Sequence, residues 1–211
     1  MSVEIINVAQ GTPEWFAARA GIPTASEFHS ILAKGRGDKP SAVRRAYMVK
    51  LASEILTGDA GESFSNRHTE RGHEMEGEAR DLYALTYDVE PVQVGFLRNG
   101  MKGCSPDSLI GERGMLEIKS KLPHLLVGII ADGVFPPEHQ AQCQGALWVA
   151  EREWIDIAVY WRGLPLFVKR AWRDEAYIAS LAKEVVEFNA ELAELVESIR
   201  QYRAPALDMA A

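Results

Sequence analysis

Between residues 92 and 120 the apolar pattern changes period, and this change constrains the fold more than any other feature of the chain. Before it, apolar residues recur at the three- and four-residue spacing of amphipathic helices; within it they tend to alternate. VQVGFL (92 to 97), MKGCSPD (101 to 107) and GMLEIKS (114 to 120) read as three short strands, with turns at Arg98-Asn99-Gly100 and Gly111-Glu112-Arg113-Gly114. Helices come first. Thr24 or Ser26 is placed to cap a short run through Phe28, Ile31 and Leu32. After a loop at 34 to 41, Ser41 starts a helix to about Leu56, with Val43, Tyr47, Leu51 and Ile55 at helical spacing and Gly58 as its stop. After a second loop, residues from about Glu70 to Tyr87 place Met75, Ala79, Leu82 and Leu85 on one stripe. Beyond the strands, Pro136-Pro137 opens a helix to about Val149. WIDIAVYW and LPLFVKRAW then form a hairpin across Arg162-Gly163. Asp174 to about Gln201 is a long amphipathic helix, with Ile178, Leu181, Val185, Phe188, Leu192, Leu195 and Ile199 inward. This order predicts one α/β domain over residues 1–211: a central mixed sheet flanked by helices and closed by a long C-terminal helix.

Composition excludes several classes. No apolar run approaches the ~18 residues of a membrane span. MSVEIINVAQ lacks a basic segment followed by an apolar stretch, which predicts no signal peptide. The two cysteines, Cys104 and Cys143, form no C-x-x-C pair, as expected in a reducing cytosol, and argue against a disulfide framework or a Cys-based zinc site. The net charge of −7 argues against a polyanionic partner until its distribution is considered. Residues 174–199 carry a net −6, which leaves about −1 for the remainder. Residues 34–50, with Lys34, Arg36, Lys39, Arg44, Arg45 and Lys50 against Asp38, carry +5. A phosphate backbone responds to such a local patch within a Debye length. A solvated loop and helix face explains the same residues equally well.

The chemistry concentrates at GCSPDSLIGERGMLEIKSK, residues 103–121. Glu117 and Lys119 stand two apart on a strand and share a face, while Leu116 and Ile118 point to the core. Asp107 comes within reach across a hairpin. Two carboxylates beside an ammonium make poor core, but they suit a hard cation such as Mg²⁺. The Ile118 carbonyl is a candidate third ligand. Lys119 is then placed to orient or deprotonate a water, or to stabilise charge developing on phosphorus. A surface hairpin with an ordinary cross-strand salt bridge is the competing reading. Glu76, from the helix before the strands, is a candidate further carboxylate, though Arg80 at i+4 makes it an ordinary helix pair as well. Gln142 and Gln144 supply amides that hold water or phosphate without adding charge.

Five segments in order, EWFAARAGIPTASEF, GHEMEGEARDLYALT, GCSPDSLIG, MLEIK and PPEHQAQCQGALWV, resemble the lambda exonuclease family, the YqaJ-type viral recombinase nucleases within the PD-(D/E)xK superfamily. The resemblance covers about residues 10 to 170. It implies a Mg²⁺-dependent enzyme, with Mn²⁺ as a substitute, that digests one strand of duplex DNA from its 5′ end, releases 5′-phosphomononucleotides and leaves 3′ overhangs for recombination by single-strand annealing. It makes Asp107 and Glu117 metal ligands, Glu76 a supporting one, Lys119 the catalytic lysine and Gln142 the active-site glutamine. Arg19, Thr24 and Ser26 match positions that hold the terminal 5′-phosphate, and Ser105 joins them. Gln144, His124, Arg44 and Arg45 are further candidates for DNA contact. Three positions depart from the family pattern: Ser108 where Gly is frequent, Ser120-Lys121 where Cys-Pro often follows the lysine, and His139 where a Tyr often stands three residues before Gln142. The resemblance also implies a ring-shaped homotrimer threading DNA ends, a single-strand annealing protein as partner, no membrane, and a phage or prophage protein in the cytoplasm of a bacterial host. Another PD-(D/E)xK nuclease, or a DNA-binding protein with a decayed site, are the alternatives.

Overall fold

The computed structural model describes residues 2–35, 41–60 and 67–203. In chain order the elements are β1 (Glu4–Ile6), α1 (Pro13–Arg19), α2 (Phe28–Leu32), α3 (Ala42–Thr57), α4 (Arg67–Tyr87), β2 (Pro91–Val92), β3 (Phe96–Arg98), β4 (Gly103–Cys104), β5 (Ser108–Ile110), β6 (Gly114–Ser120), α5 (Pro123–Asp132), α6 (Gln140–Ala150), β7 (Trp154–Tyr160), β8 (Phe167–Trp172) and α7 (Glu175–Arg200). Short 3₁₀ turns at Ala25–Glu27 and Pro137–His139 lead into α2 and α6. The central sheet has the order β2-β5-β6-β7-β8. Within it β6 and β7 run parallel, and the other neighbours are antiparallel. A parallel pair needs a crossover, which α5 and α6 supply. β1, β3 and β4 form a smaller antiparallel sheet.

β6 divides the core. Side chains alternate along a strand, so Met115 faces one way and Leu116 and Ile118 the other. Met115 packs in the larger cluster with Phe28, Leu51, Leu147 and Phe188, drawn from α2, α3, α6 and α7. Leu116 and Ile118 pack with Met75, Ala79 and Tyr83 of α4. Glu117 and Lys119 therefore share the Met115 side, which α6 covers.

The predicted mixed sheet, flanking helices and long closing helix are all present. The differences are local and have physical causes. The strand expected at 101–107 is reduced to Gly103–Cys104 in the small sheet, and Ser108–Ile110, which pairs with β6 in the large one, begins just beyond it; the strand expected at 92–97 is divided between the two sheets as β2 and β3. Pro106 stands at the break, because proline has no N–H to give to a ladder. Asp107 thus precedes a strand rather than ending one. On α4 the inward position falls to Tyr83, whose hydroxyl donates to Asp156 at 2.6 Å, and Leu85 is 83% exposed. On α7 the buried stripe passes from Leu192 to Val196, four residues on, which leaves Ile199 exposed. β1, α1 and α5 were not expected from period. The stretch PHLLVGIIAD is apolar on every side, so no stripe marks it as a helix.

Both end signals of α3 are realised. Ser41 Oγ accepts from the Arg44 amide at 3.2 Å, and Gly58 takes the left-handed conformation at φ 72°. Ser41→Ala is expected to lower stability by about 1 kcal/mol in urea unfolding, the usual cost of a lost cap. Thr24 makes no capping bond; its hydroxyl is turned toward Arg19 instead. Residues 36–40, with Arg36 and Lys39 of the basic segment, and residues 61–66 lie outside the described residues.

Candidate active site

The β5–β6 hairpin pairs Ser108 with Leu116, which sets Asp107 against Glu117. Asp107 Oδ2 accepts from the Ile118 amide at 2.5 Å. Glu117 is 4% exposed. Its Oε1 accepts from Lys119 Nζ at 2.8 Å and from Gln142 Nε2 at 2.5 Å. Burial, then the charges of Glu117 and Glu76, push the Asp107 carboxyl well above the usual carboxylate range. Burial also works against the Lys119 ammonium, but Glu117 and Asp107 more than offset it and hold that group above its ordinary value.

Crowded, buried carboxylates are the condition that a hard cation relieves. Mg²⁺ takes one or two carboxylates and completes its shell with water and phosphate oxygens. Asp107 and Glu117 fit that need and would hold it. Burial pushes the nearby Cys104 and Cys143 thiols up. Glu76 is ion-paired with Arg80 four residues on. Among the described residues, no three His, Cys, Asp or Glu gather as a metal-binding group. Glu76 is close enough to act on Asp107 by its charge without joining such a cluster. For Ile118, the contact at the site is made by its amide. Asp107→Asn is expected to raise the Tm of metal-free protein, since it removes a charge buried against Glu117 yet keeps an acceptor for Ile118. Added Mg²⁺ then raises the wild-type Tm and leaves that of the variant nearly unchanged.

A second cluster adjoins the first. Arg19, at the end of α1, donates to Ser105 Oγ at 2.9 Å and to Thr24 Oγ1 at 3.4 Å. Thr24 and Ser26 share a hydrogen bond of 3.2 Å. The guanidinium lies 4.0 Å from the centre of the Trp15 ring, and Trp15 Nε1 donates to Ser105 Oγ at 3.0 Å. Burial lowers the pKa of Arg19, yet a guanidinium keeps its charge in proteins. A fork beside three hydroxyls suits a phosphate. A cavity of about 180 Å³ has Arg19, Ser26, Ser105, Asp107, Glu117 and Gln142 in its walls, so both clusters open on one space.

The supports of this second cluster were not found in the sequence. Tyr47 of α3 accepts from the Thr24 amide through its hydroxyl at 3.1 Å. Glu54 of α3 accepts from the Gly21 amide at 2.8 Å. Gly21 has φ 70°, and a Cβ there would lie 2.4 Å from the Ile55 side chain. Together they fix the segment that joins Arg19, at the end of α1, to Thr24. Trp15 left a signal, since i and i+4 share a helix face. Tyr47 and Glu54 look like ordinary helical positions.

Residues 14–153 match the model of the YqaJ-like viral recombinase domain. The chain belongs to that family. Its central sheet and the Pro106-Asp107…Glu117-Ile118-Lys119 arrangement are of the PD-(D/E)xK type. The YqaJ-like chain is similar to LHK-Exo, an alkaline exonuclease from Laribacter hongkongensis, at 34% identity over 90% of this chain and 97% of the other, with a TM-score of 0.81. LHK-Exo in complex with dAMP gives 0.82 at the same identity and coverage. A phage-related exonuclease from Haemophilus somnus 129PT shares the fold, at 15% identity over 84% of this chain and 96% of the other, with a TM-score of 0.64. A comparison with curated proteins gives no match.

Four further candidates lie elsewhere in this YqaJ-like protein. Gln144 is buried, donates to the Trp172 carbonyl at 2.8 Å and accepts from the Asp174 amide at 2.9 Å. Two residues along a helix turn the side chain to another face, so Gln144 ties α6 to the start of α7 while Gln142 reaches Glu117. Arg44 makes a two-pronged pair with Glu191 of α7 at 2.5 and 2.9 Å, and stacks on Phe188. Arg45 is exposed, with its guanidinium 3.8 Å from Met48 Sδ. His124 is exposed in the first turn of α5.

Proposed function

We propose that this YqaJ-like protein is a Mg²⁺-dependent exonuclease that digests the 5′-ended strand of linear duplex DNA. It releases 5′-phosphomononucleotides and leaves 3′ overhangs. The observation that carries this reading is the single cavity shared by Asp107, Glu117 and Gln142 with Arg19, Ser26 and Ser105. The relative LHK-Exo, an alkaline exonuclease characterised in complex with dAMP, supports nucleotide chemistry at such a site.

In this reading Arg19, Thr24, Ser26 and Ser105 grip the terminal 5′-phosphate. The next phosphodiester then lies against Asp107 and Glu117, which hold Mg²⁺. The bound ion supplies Lewis-acid charge to the phosphate and lowers the pKa of an attacking water. Lys119 donates to a phosphate oxygen and stabilises the charge that develops there. Gln142, with a donor and an acceptor, holds Glu117 and aligns the water. The water oxygen bonds to phosphorus, the bond to the 3′ oxygen breaks, and the remaining strand keeps a 5′-phosphate for the next cycle.

The protein works as a homotrimer around DNA and delivers its 3′ strand to a single-strand annealing partner, in the cytoplasm of a bacterial host that carries it as a phage or prophage gene. The exposed apolar side chains Leu125, Val127 and Ile130 of α5, with Leu122 and Val134 beside it, support an assembled state. No helix among the described residues is long and apolar enough to cross a membrane. Digestion of 5′-phosphorylated and 5′-hydroxyl linear duplexes tests the reading. Faster release from the phosphorylated end is expected; equal rates would refute the assigned end preference.

A further inference from the structure

Two departures of this chain from its family's motifs meet in space. Lys121 follows β6, and its amide still donates to the Tyr160 carbonyl of β7 at 3.4 Å. His139 closes the 3₁₀ turn Pro137–His139, one helical turn before Gln142. That turn sets Glu138 between them. Lys121 Nζ is 3.3 Å from Glu138 Oε1, which is 3.7 Å from His139 Nε2. The latter separation is too long for a hydrogen bond. His139 Nε2 is closed to solvent and has no hydrogen-bond partner among the described residues. Burial, then the charges of Lys119 and Lys121, lowers the pKa of His139 to about 4, so its imidazole is neutral and makes no ion pair with Glu138. A buried polar nitrogen without a partner is costly in a native fold, and a ligand is one source of the missing partner.

The position of the group indicates the ligand. Glu117 and Lys119 share a face of β6 at a two-residue step of roughly 7 Å, and Lys121 follows just past the strand end. Arg19 and Ser105 share a cavity with Asp107 and Glu117, Glu117 bonds Lys119, and the charges of Lys119 and Lys121 both act on His139. A DNA strand with its 5′ end at Arg19 would follow that order. Its next phosphate past the scissile one meets the Lys121 ammonium and the imidazole, in the tautomer with its proton on Nε2. Glu138 is half-exposed and occupies Lys121 in the free protein; an arriving phosphate displaces it.

We infer that Lys121 and His139 form a phosphate subsite that grips the digested strand one phosphate beyond the scissile bond, with Glu138 as the counter-ion it displaces. The inference rests on the nuclease reading above. It separates this chain from relatives that carry Cys-Pro and Tyr at these positions.

The test is equilibrium binding of a labelled linear duplex to the full chain in EDTA, by fluorescence anisotropy across a salt series. Lys121→Ala is expected to weaken binding roughly 5- to 10-fold and to make the slope of log K against log salt shallower by about 0.9, one released counterion. His139→Ala weakens binding with the slope unchanged, since the imidazole is neutral. Glu138→Gln tightens binding, which the loss of a merely structural ion pair would not do. These shifts are the same on 5′-phosphorylated and 5′-hydroxyl ends, which separates the subsite from Arg19. Circular dichroism confirms that each variant is folded, and Lys121→Ala with Glu138→Gln decides the matter should His139→Ala unfold. An unchanged slope for Lys121→Ala, weaker binding by Glu138→Gln, or no DNA binding by wild type would each overturn the subsite. Failure of the nuclease reading is distinct: the variants would show these binding shifts while wild type released no nucleotide with Mg²⁺.

Discussion

Lys119→Ala lowers Mg²⁺-dependent nucleotide release from linear duplex DNA by about 10²–10³-fold, the usual cost of removing one positioned donor from a developing oxyanion. The loss falls on kcat, because the ammonium acts where charge develops rather than where substrate is first held. Lys119 is well placed for that role. It shares a strand face with Glu117, bonds it at 2.8 Å, and lies on the side of the sheet that α6 covers. Its removal leaves the buried Glu117 with only the Gln142 amide, so the metal-free variant is expected to melt lower than wild type yet still cooperatively. A variant that lost activity by unfolding would lose cooperative melting too, and calorimetry separates the two outcomes.

Arg19→Ala abolishes the preference for 5′-phosphorylated ends. Charge-assisted hydrogen bonds contribute about 1.5–3 kcal/mol, which corresponds to roughly a 10- to 100-fold drop in kcat/KM on phosphorylated ends. Release from 5′-hydroxyl ends stays near the wild-type rate, since those ends offer Arg19 no phosphate. Arg19→Lys restores only part of the preference. A lysine keeps the charge but loses the fork that reaches both Ser105 and Thr24 and the flat face that lies on Trp15. Tyr47→Phe is expected to produce a weaker form of the same defect, because it frees the Thr24 amide that the hydroxyl fixes.

What could be read from the sequence divides along physical lines. The alternation Leu116-Glu117-Ile118-Lys119 was legible, because strand period fixes facing with no knowledge of neighbours. The gathering of Arg19, Thr24, Ser26 and Ser105 was not. Nothing in their spacing brings residue 105 to residue 19; their roles came from family resemblance, and the structure places them together. Tyr47 and Glu54 were invisible because each acts through one long-range bond to a backbone amide, which leaves no periodic trace. Gln144 misled because glutamine at two-residue spacing on a helix looks like a pair in sequence but points to different faces in space. Arg44 misled in another way. Its +5 segment suggested a phosphate backbone, whereas Glu191 of the acidic α7 is the partner it finds. The departure at His139 was legible as a departure. Its meaning needed the orphaned nitrogen beside Lys121.

The most direct test of the central claim, that Asp107, Glu117 and Lys119 form a metal-dependent nuclease site, is nucleotide release from a linear 5′-phosphorylated duplex with Mg²⁺, by wild type, Asp107→Ala and Lys119→Ala side by side. Release by wild type alone, abolished by EDTA, is the predicted result. Equal release by all three proteins, or none by folded wild type, would contradict it.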